Sequence, residues 1–374
     1  MNISYEEVRN AEIIHHADDD ILVISKGNRV SILGSQNEIK IKVPISFYLI
    51  PLLRLRLIRR LLRLDKMNVI LIDKKIMKLL IIYRGIVYCS SNGCKPKEIL
   101  KLEHGRNVLH NSIAILPSGH AIFGEYYGND KQQSVNIYRI NLQTLNWDIP
   151  FIFSEGEIRH VHSCLWDKFA EKIWIFTGDR DEESRVYAAD PDFKSMELIG
   201  SGSQKWRAVS AFFKKDFVYW VMDSPDETSY LVRYERISKK IVTLRSFPGP
   251  AYYSINFHDN GYLIGTTHEP GKSVQGKSAH IYFSKDLEDW TEIAKFQHDG
   301  LSMKYLKYGI IGFAFGKQFK NEFYFFCEAI QGVGGRKLPP CLPRLLHDNS
   351  PLARCANFCG EILDWGGPPL IKYY

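Results

Sequence analysis

The stretch Trp206–Phe247, WRAVSAFFKKDFVYWVMDSPDETSYLVRYERISKKIVTLRSF, decides the fold. It carries short aromatic and β-branched runs after Ser210 and at FVYWVMD, SYLVRYE and IVTLRSF. Such side chains favour a pleated, half-buried backbone. The polar links between them are too short for helices and suit hairpins, so the runs read as four antiparallel strands.

The pattern recurs. VLHNSIAILPSGHAIFGEYYGND, RHVHSCLWDKFAEKIWIFTGDRDEES and AYYSINFHDNGYLIGTTHEPG align with it on Ser112, Ser163, Ser254 and Ser210. Third strands follow at SVNIYRI, SRVYAAD and AHIYFSK, and a fourth at WDIPFIF. Four strands returning roughly every 44 to 54 residues mark a propeller blade. EIIHHADDDILVISKGNRVSILGSQNEIKIKVP, MNVILIDKKIMKLLIIYRGIVYCSSNG and LKYGIIGFAFGKQFKNEFYFFCEA extend the count. The expectation is an all-β protein, a β-propeller of six or seven four-stranded blades with one short amphipathic helix. It occupies residues 1–331 as one domain, with the clearest repeats at about 106–298. The strands ILVISKG and RVSILG are candidates to complete the last blade.

Hydrophobic residues at 45% can fill such a core, and a net charge of +7 over 374 residues is too mild to indicate nucleic-acid binding. The start MNISYEEVRNAEII has no basic, apolar, cleavable leader, and no run is long enough to span a membrane. Seven cysteines without paired spacing suit free thiols, so a cytoplasmic location is expected.

Strand direction places residues on one face. The start of each first strand and the end of each second strand share an edge. Arg159, His160 and His162 are therefore expected beside Asp179 and Arg180, and Trp206 and Arg207 beside Asp223. His110 and Asn111 fall beside Glu125 and Tyr126, and Tyr252 and Tyr253 beside Thr267 and His268. First strands line a propeller's channel, so this set should ring one mouth of it. Arginines beside carboxylates and tyrosines suit an anionic or polyhydroxylated sugar. Polar pairs that only link blades are the structural alternative.

The hairpin SKDLEDWTEI (Ser284 to Ile293) resembles the Asp-box turn Ser-x-Asp-x-Gly-x-Thr-Trp of sialidase-like propellers. It is one residue shorter and lacks the glycine. YRINLQTLNWDIP keeps Asn141 and Trp147 of that pattern. The resemblance covers about residues 60–330, and GSGSQKWRAVS looks like members found near polysaccharide genes. It implies a carbohydrate-binding or carbohydrate-processing protein of surface polysaccharide metabolism, with a protein-interaction scaffold as the alternative. Sialidase chemistry would use arginines on a carboxylate, with Arg159, Arg180 and Arg207 as candidates. It would also use a tyrosine with a carboxylate partner (Tyr252 or Tyr253 with Glu125) and an acid (Asp223). The family's N-terminal arginine motif has no match here. A lyase would instead use His160 or His162 as base, with Arg207 facing a uronate.

His160-x-His162 has metal-ligand spacing, as does HHADDD (His15 to Asp20), but neither shows a third ligand, so no metal or other cofactor is expected. The segment PLLRLRLIRRLLRLDK (Pro51 to Lys66) reads as a basic amphipathic helix. Its apolar side (Leu55, Ile58, Leu62) is expected on the propeller, and Arg56, Arg59, Arg60 and Arg63 in water; peripheral membrane contact is the second reading. Residues 332–374 hold six prolines and no strand alternation, and are expected as an irregular extension.

Overall fold

The computed structural model describes residues 4–8, 11–34, 38–105, 107–331 and 352–356. Six antiparallel four-stranded meanders follow one another along the chain. Blade 1 is Ile13–Ala17, Ile21–Lys26, Arg29–Gly34 and Glu38–Lys42; blade 2 is Asn68–Asp73, Lys78–Tyr83, Ile86–Ser90 and Lys97–Lys101. Blade 3 is Ala114–Ile115, His120–Gly124, Val135–Asn141 and Trp147–Phe153. Blade 4 is Val161–Asp167, Lys172–Thr177, Arg185–Ala189 and Met196–Ser201. Blade 5 is Phe212–Phe213, Phe217–Val221, Ser229–Glu235 and Ile241–Phe247. Blade 6 is Ala251–Asn256, Tyr262–Thr266, Ser278–Ser284 and Trp290–Gln297. These strands fall where the repeat placed them.

A seventh sheet is assembled from distant segments. Ile310–Phe313 and Glu322–Glu328 pair antiparallel, Leu352–Ala356 adds in parallel, and Ser4–Val8 forms the outer edge. The N-terminus thus completes the last blade, but with Ser4–Val8. The candidates ILVISKG and RVSILG are the second and third strands of blade 1 instead. Five residues of the expected irregular extension form a strand; the rest of 332–374 lies outside the described residues. Blade 1 meets blade 7 through Ala17 N–H to Phe315 O (2.8 Å) and Phe315 N–H to His15 O (2.9 Å).

Apolar side chains from facing sheets fill the space between blades. Trp174, Phe176, Trp220 and Tyr234 pack between blades 4 and 5, and Phe257, Leu263, Ile311 and Phe323 between blades 6 and 7. Where neighbouring blades come closest, side-chain volume disappears. A Cβ at Gly124 would lie 2.5 Å from the Val161 side chain, so blades 3 and 4 can approach only over glycine.

The third-to-fourth hairpins share a turn. In blade 6, Ser284 Oγ accepts from Leu287 N–H (2.8 Å), and Asp286 Oδ1 accepts from the N–H groups of Glu288 and Asp289 (both 2.9 Å). Asn141 Oδ1 does the same for Gln143 and Thr144 in blade 3. Leu287 takes a φ of +76°, the left-handed conformation a glycine would adopt without strain. Its side chain is fully buried beside Trp290, and that packing offsets the backbone cost.

The basic segment is turned the other way from expectation. Arg59 and Arg60 are buried, whereas Leu55, Leu57, Leu61 and Leu62 are exposed. Arg59 donates to both Glu12 (2.7 and 2.9 Å) and the Leu53 carbonyl, while Arg60 pairs with Asp299 at 2.7 Å and reaches the Leu306 carbonyl. Inward arginines are stable here because Glu12 of blade 1 and Asp299 ahead of blade 7 meet them. The α-helical part is short, Arg56–Leu61. Breaking a buried ion pair by removing one partner costs about 3–5 kcal/mol, whereas a solvated arginine is replaceable within about 0.5 kcal/mol. Arg59→Met is therefore expected to lose the larger amount in urea unfolding, because Glu12 stays buried without its partner.

Candidate functional site

The channel widens at one face into a cavity of about 640 Å³. First strands and the loops beside them supply its wall through Asn68, His110, Tyr252, Tyr253 and Ile310, and the basic segment supplies Leu62, Arg63 and Lys66 at its side. Tyr126, Tyr127 and Tyr308 add aromatic faces. Lys66 and Lys307 both bind Glu328 (2.5 and 3.0 Å), and Lys307 also binds Asp65 at 2.6 Å. Arg63 and Arg84 face the same cavity and form no ion pair among the described residues.

Behind Tyr126 and Tyr252 stands a partly buried ionic cluster centred on Asp179. Arg159 Nη1 lies 3.0 Å from Asp179 Oδ2, and Arg207 Nη2 lies 3.2 Å from Oδ1. His162 Nε2 is 3.3 Å and His160 Nε2 3.5 Å from that same Oδ1. Arg207 Nε also faces Asp223 Oδ2 at 3.4 Å. Burial would raise the Asp179 carboxyl, but His160 and His162, which donate from Nε2 and carry positive charge when protonated, hold it well below the carboxylate range. Asp223 is raised by burial despite Arg207.

Tyr252 donates to Glu269 Oε1 at 2.8 Å. Glu269 is pushed up to about 8, first by burial and then by the negative charge of Asp223. Burial raises the Tyr126 and Tyr252 hydroxyls, so both are neutral donors near neutral pH.

The expected rim residues divide into three groups. Arg159, His160, His162, Asp179, Arg207 and Asp223 come together in the cluster, and Tyr252 and Tyr253 line the cavity. Arg180 is exposed, and Trp206 lies over Gly200 and tilts against Trp220 at 5.8 Å. His268 bridges to Gly309 and packs on His298, and Thr267 N–H is bound to Pro250 O. Glu125 turns into the blade, where it accepts from His104 N–H (2.7 Å), Asn136 N–H (3.0 Å) and the Tyr138 hydroxyl (3.1 Å). It is fully buried and bonded to the blade's own frame, and the next residue, Tyr126, takes the cavity position expected of it. Glu269, not Glu125, is the carboxylate that partners Tyr252.

Several first strands carry a β-bulge, and three of these bulges involve residues named above. The pairing registers skip His15 in blade 1, His162 in blade 4 and Tyr252 in blade 6, always on the first strand. A bulge inserts one residue and re-aims the side chain there. Strict alternation along the sequence does not reveal it. Arg63 and Tyr308 were missed because they lie in links between blades, and Arg84 and Glu269 because they lie in loops between the second and third strands.

No protein-family profile matches the chain, and no curated protein is significantly similar to it in sequence. Solved structures do match it in shape. An oligogalacturonate lyase from Vibrio parahaemolyticus aligns over 79% of this chain and 86% of that one, at 8% identity and a TM-score of 0.51. The likeness is one of fold. A chain of the mitotic checkpoint complex aligns at 8% identity over 83% and 85%, with a TM-score of 0.48. The extracellular domain of a hybrid two-component system from B. thetaiotaomicron aligns at 12% over 84% and 36%, with 0.49. Among the described residues, no helix is long and apolar enough to cross a membrane.

The raised Glu269 has a testable consequence. Folded chains keep its proton up to about pH 8, whereas an unfolded glutamate ionises near 4.5. Between those values the folded state binds more protons, so this group's contribution to stability falls as pH rises. Melting temperatures of wild type and Glu269→Gln are expected to diverge across about pH 5 to 8, with wild type losing ground. A constant difference across that window means that Glu269 is ionised throughout.

Proposed function

We propose that the protein binds an acidic carbohydrate in the central cavity, within the sialidase-like kinship that the Ser284–Trp290 turn resembles. The observation that carries the reading is the pairing of tyrosine faces with two cations, Arg63 and Arg84, that have no carboxylate partner among the described residues. Sugars stack on aromatic rings, and an unpaired guanidinium in a concave site suits a carboxylate or sulfate. Arg159 and Arg207 do not serve this purpose, because Asp179 and Asp223 already hold them. An arginine triad on a substrate carboxylate is therefore not assembled from Arg159, Arg180 and Arg207. If the bound sugar is processed, the Tyr252 hydroxyl at the cavity wall is the proton donor, and a protonated Glu269 behind it re-supplies the proton once their hydrogen bond reverses. An oligogalacturonate lyase shares the fold, which is compatible with this reading but does not carry it.

The scaffold reading draws on a different observation. Every arginine of the Asp179 cluster is closed onto a carboxylate, as expected where polar pairs only join blades.

A glycan array followed by calorimetry separates the two. Acidic oligosaccharides are expected to bind, and Arg84→Ala to weaken them by about 1.5–3 kcal/mol, the worth of a charged hydrogen bond. Trp290→Ala, at the far end of blade 6, is expected to lower stability by about 3–5 kcal/mol with intrinsic affinity unchanged. Equal affinity in wild type and Arg84→Ala, or no glycan bound at all, favours the scaffold.

A further inference from the structure

His160 and His162 present an unresolved meeting of lone pairs. His160 Nδ1 lies 2.7 Å from the Tyr127 carbonyl, and His162 Nδ1 lies 3.2 Å from the Ala208 carbonyl. A carbonyl oxygen only accepts, so both Nδ1 atoms carry a proton, and in the neutral rings both Nε2 atoms carry lone pairs. Those two Nε2 atoms face each other at 3.1 Å. Asp179 Oδ1, a third Lewis base, lies 3.3 Å from one and 3.5 Å from the other. A shared proton would satisfy two of these atoms and leave the third. A metal ion satisfies all three. The point equidistant from the three atoms lies about 1.9 Å from each, so an ion displaced slightly from their plane reaches the usual Zn–N and Zn–O lengths of about 2.0–2.2 Å.

We infer that His160, His162 and Asp179 form a site for a first-row divalent metal ion. Two imidazoles and one carboxylate on one face suit zinc, manganese, iron or cobalt, and are a poor match for the all-oxygen shells of calcium and magnesium. The surrounding bonds are those a metal site needs. Each histidine is oriented by a carbonyl on its far nitrogen, and the carboxylate is oriented by Arg159 and Arg207. Two guanidiniums oppose a dication, and the nearby Asp223 supplies compensating negative charge. Tyr126, whose ring lies 4.5 Å from that of His160, separates the site from the cavity. This inference does not depend on the nature of the cavity's ligand.

The test uses the purified full chain, stripped with chelator and titrated with Co(II). One equivalent is expected to bind, with ligand-field absorption and paramagnetically shifted resonances from two imidazoles. His162→Gln is expected to weaken binding at least a hundredfold, with Glu269→Gln binding as wild type. No binding of Co(II), Zn(II) or Mn(II) at millimolar concentration overturns the site, as does binding that survives His162→Gln. Should that variant fail to fold, the imidazole resonances of the wild-type complex decide alone.

A second inference rests on the inverted basic segment. With Arg59 and Arg60 drawn inward, Phe47, Tyr48, Ile50, Leu55, Leu57 and Leu61 are left exposed. Leu301 and Tyr305 extend the surface beside it. From Val43 to Leu64 there is no acidic residue, and the exposed charges within it, Arg54 and Arg63, are positive. We propose that this surface docks on an anionic membrane. Aromatic and aliphatic side chains would sit among the acyl chains, and the arginines at the phosphate level. The cavity mouth, flanked by Leu62 and Arg63, would then open beside the lipid surface. Flotation with phosphatidylcholine vesicles containing 30% phosphatidylserine is expected to carry the protein upward. Pure phosphatidylcholine, or the double variant Phe47→Ser/Leu57→Ser, should reduce the floated fraction at least tenfold. Absence of binding to anionic vesicles overturns the proposal. So does self-association of the wild type, by sedimentation, that the double variant abolishes, since the surface is then a protein interface.

Discussion

A propeller depends on how its ring closes, and here the closure falls in the seventh sheet, where the N-terminal strand Ser4–Val8 joins segments from the other end of the chain. In this protein buried charge holds that closing seam on the cavity face. Asp65 and Lys66, which lead into blade 2, join Lys307 and Glu328 of blade 7. Arg59 reaches back to Glu12 of blade 1, and Arg60 to Asp299 ahead of blade 7. Burial would raise the Glu328 carboxyl, yet Lys307 and Lys66 carry it well below the carboxylate range. Each pair is worth little over an apolar replacement of both partners, but losing one partner leaves a buried charge exposed to nothing. The network therefore fixes which surfaces meet at the seam more than it deepens overall stability. The cavity inherits its shape from that constraint, since Lys66, Lys307 and Glu328 are also part of its wall.

The two ends of the blades are built from different physics. At the hairpin end, Ser284, Asp286 and Asn141 satisfy backbone N–H groups locally, and Trp290 fills the space between sheets. Nothing there is poised. At the cavity end, Asp179 is shared by two arginines and two histidines, and buried Asp223 Oδ1 has no hydrogen-bond partner among the described residues. Proteins place such frustrated polar groups where a ligand or ion is to meet them.

Strand order was legible because alternation of apolar and polar residues has a period that no helix shares, and four serine-anchored repeats display it. The rim was legible from the same alignment, which brought Arg207 to Asp223 and His162 to Asp179. What failed were statements that need one-residue accuracy. Glu125 and Tyr126 exchange roles, since one turns into its blade and the other into the cavity. The bulges at His162 and Tyr252 leave no mark in composition, yet both residues still reach the cavity end. The arginine-rich segment was misread for another reason. Its periodicity shows two unlike faces but not which one is inward, and the acids that decide, Glu12 and Asp299, are 47 and 239 residues away from their partners. Amphipathicity predicts a sided helix; only the partner surface sets its sense.

That inversion ties the seam to the site. An outward-facing arginine helix would leave Glu12 and Asp299 without their guanidinium partners and would free the segment from the rim. With Arg59 and Arg60 drawn inward, the segment is pinned across blades 1 and 7, and Arg63, in the left-handed conformation just past the helix, is delivered to the cavity edge. The apolar side chains then have nowhere to go but outward. Exposed leucines at this position are therefore a consequence of closing the ring with buried charge, and the placing of Arg63 beside the cavity follows from the same turn of the helix.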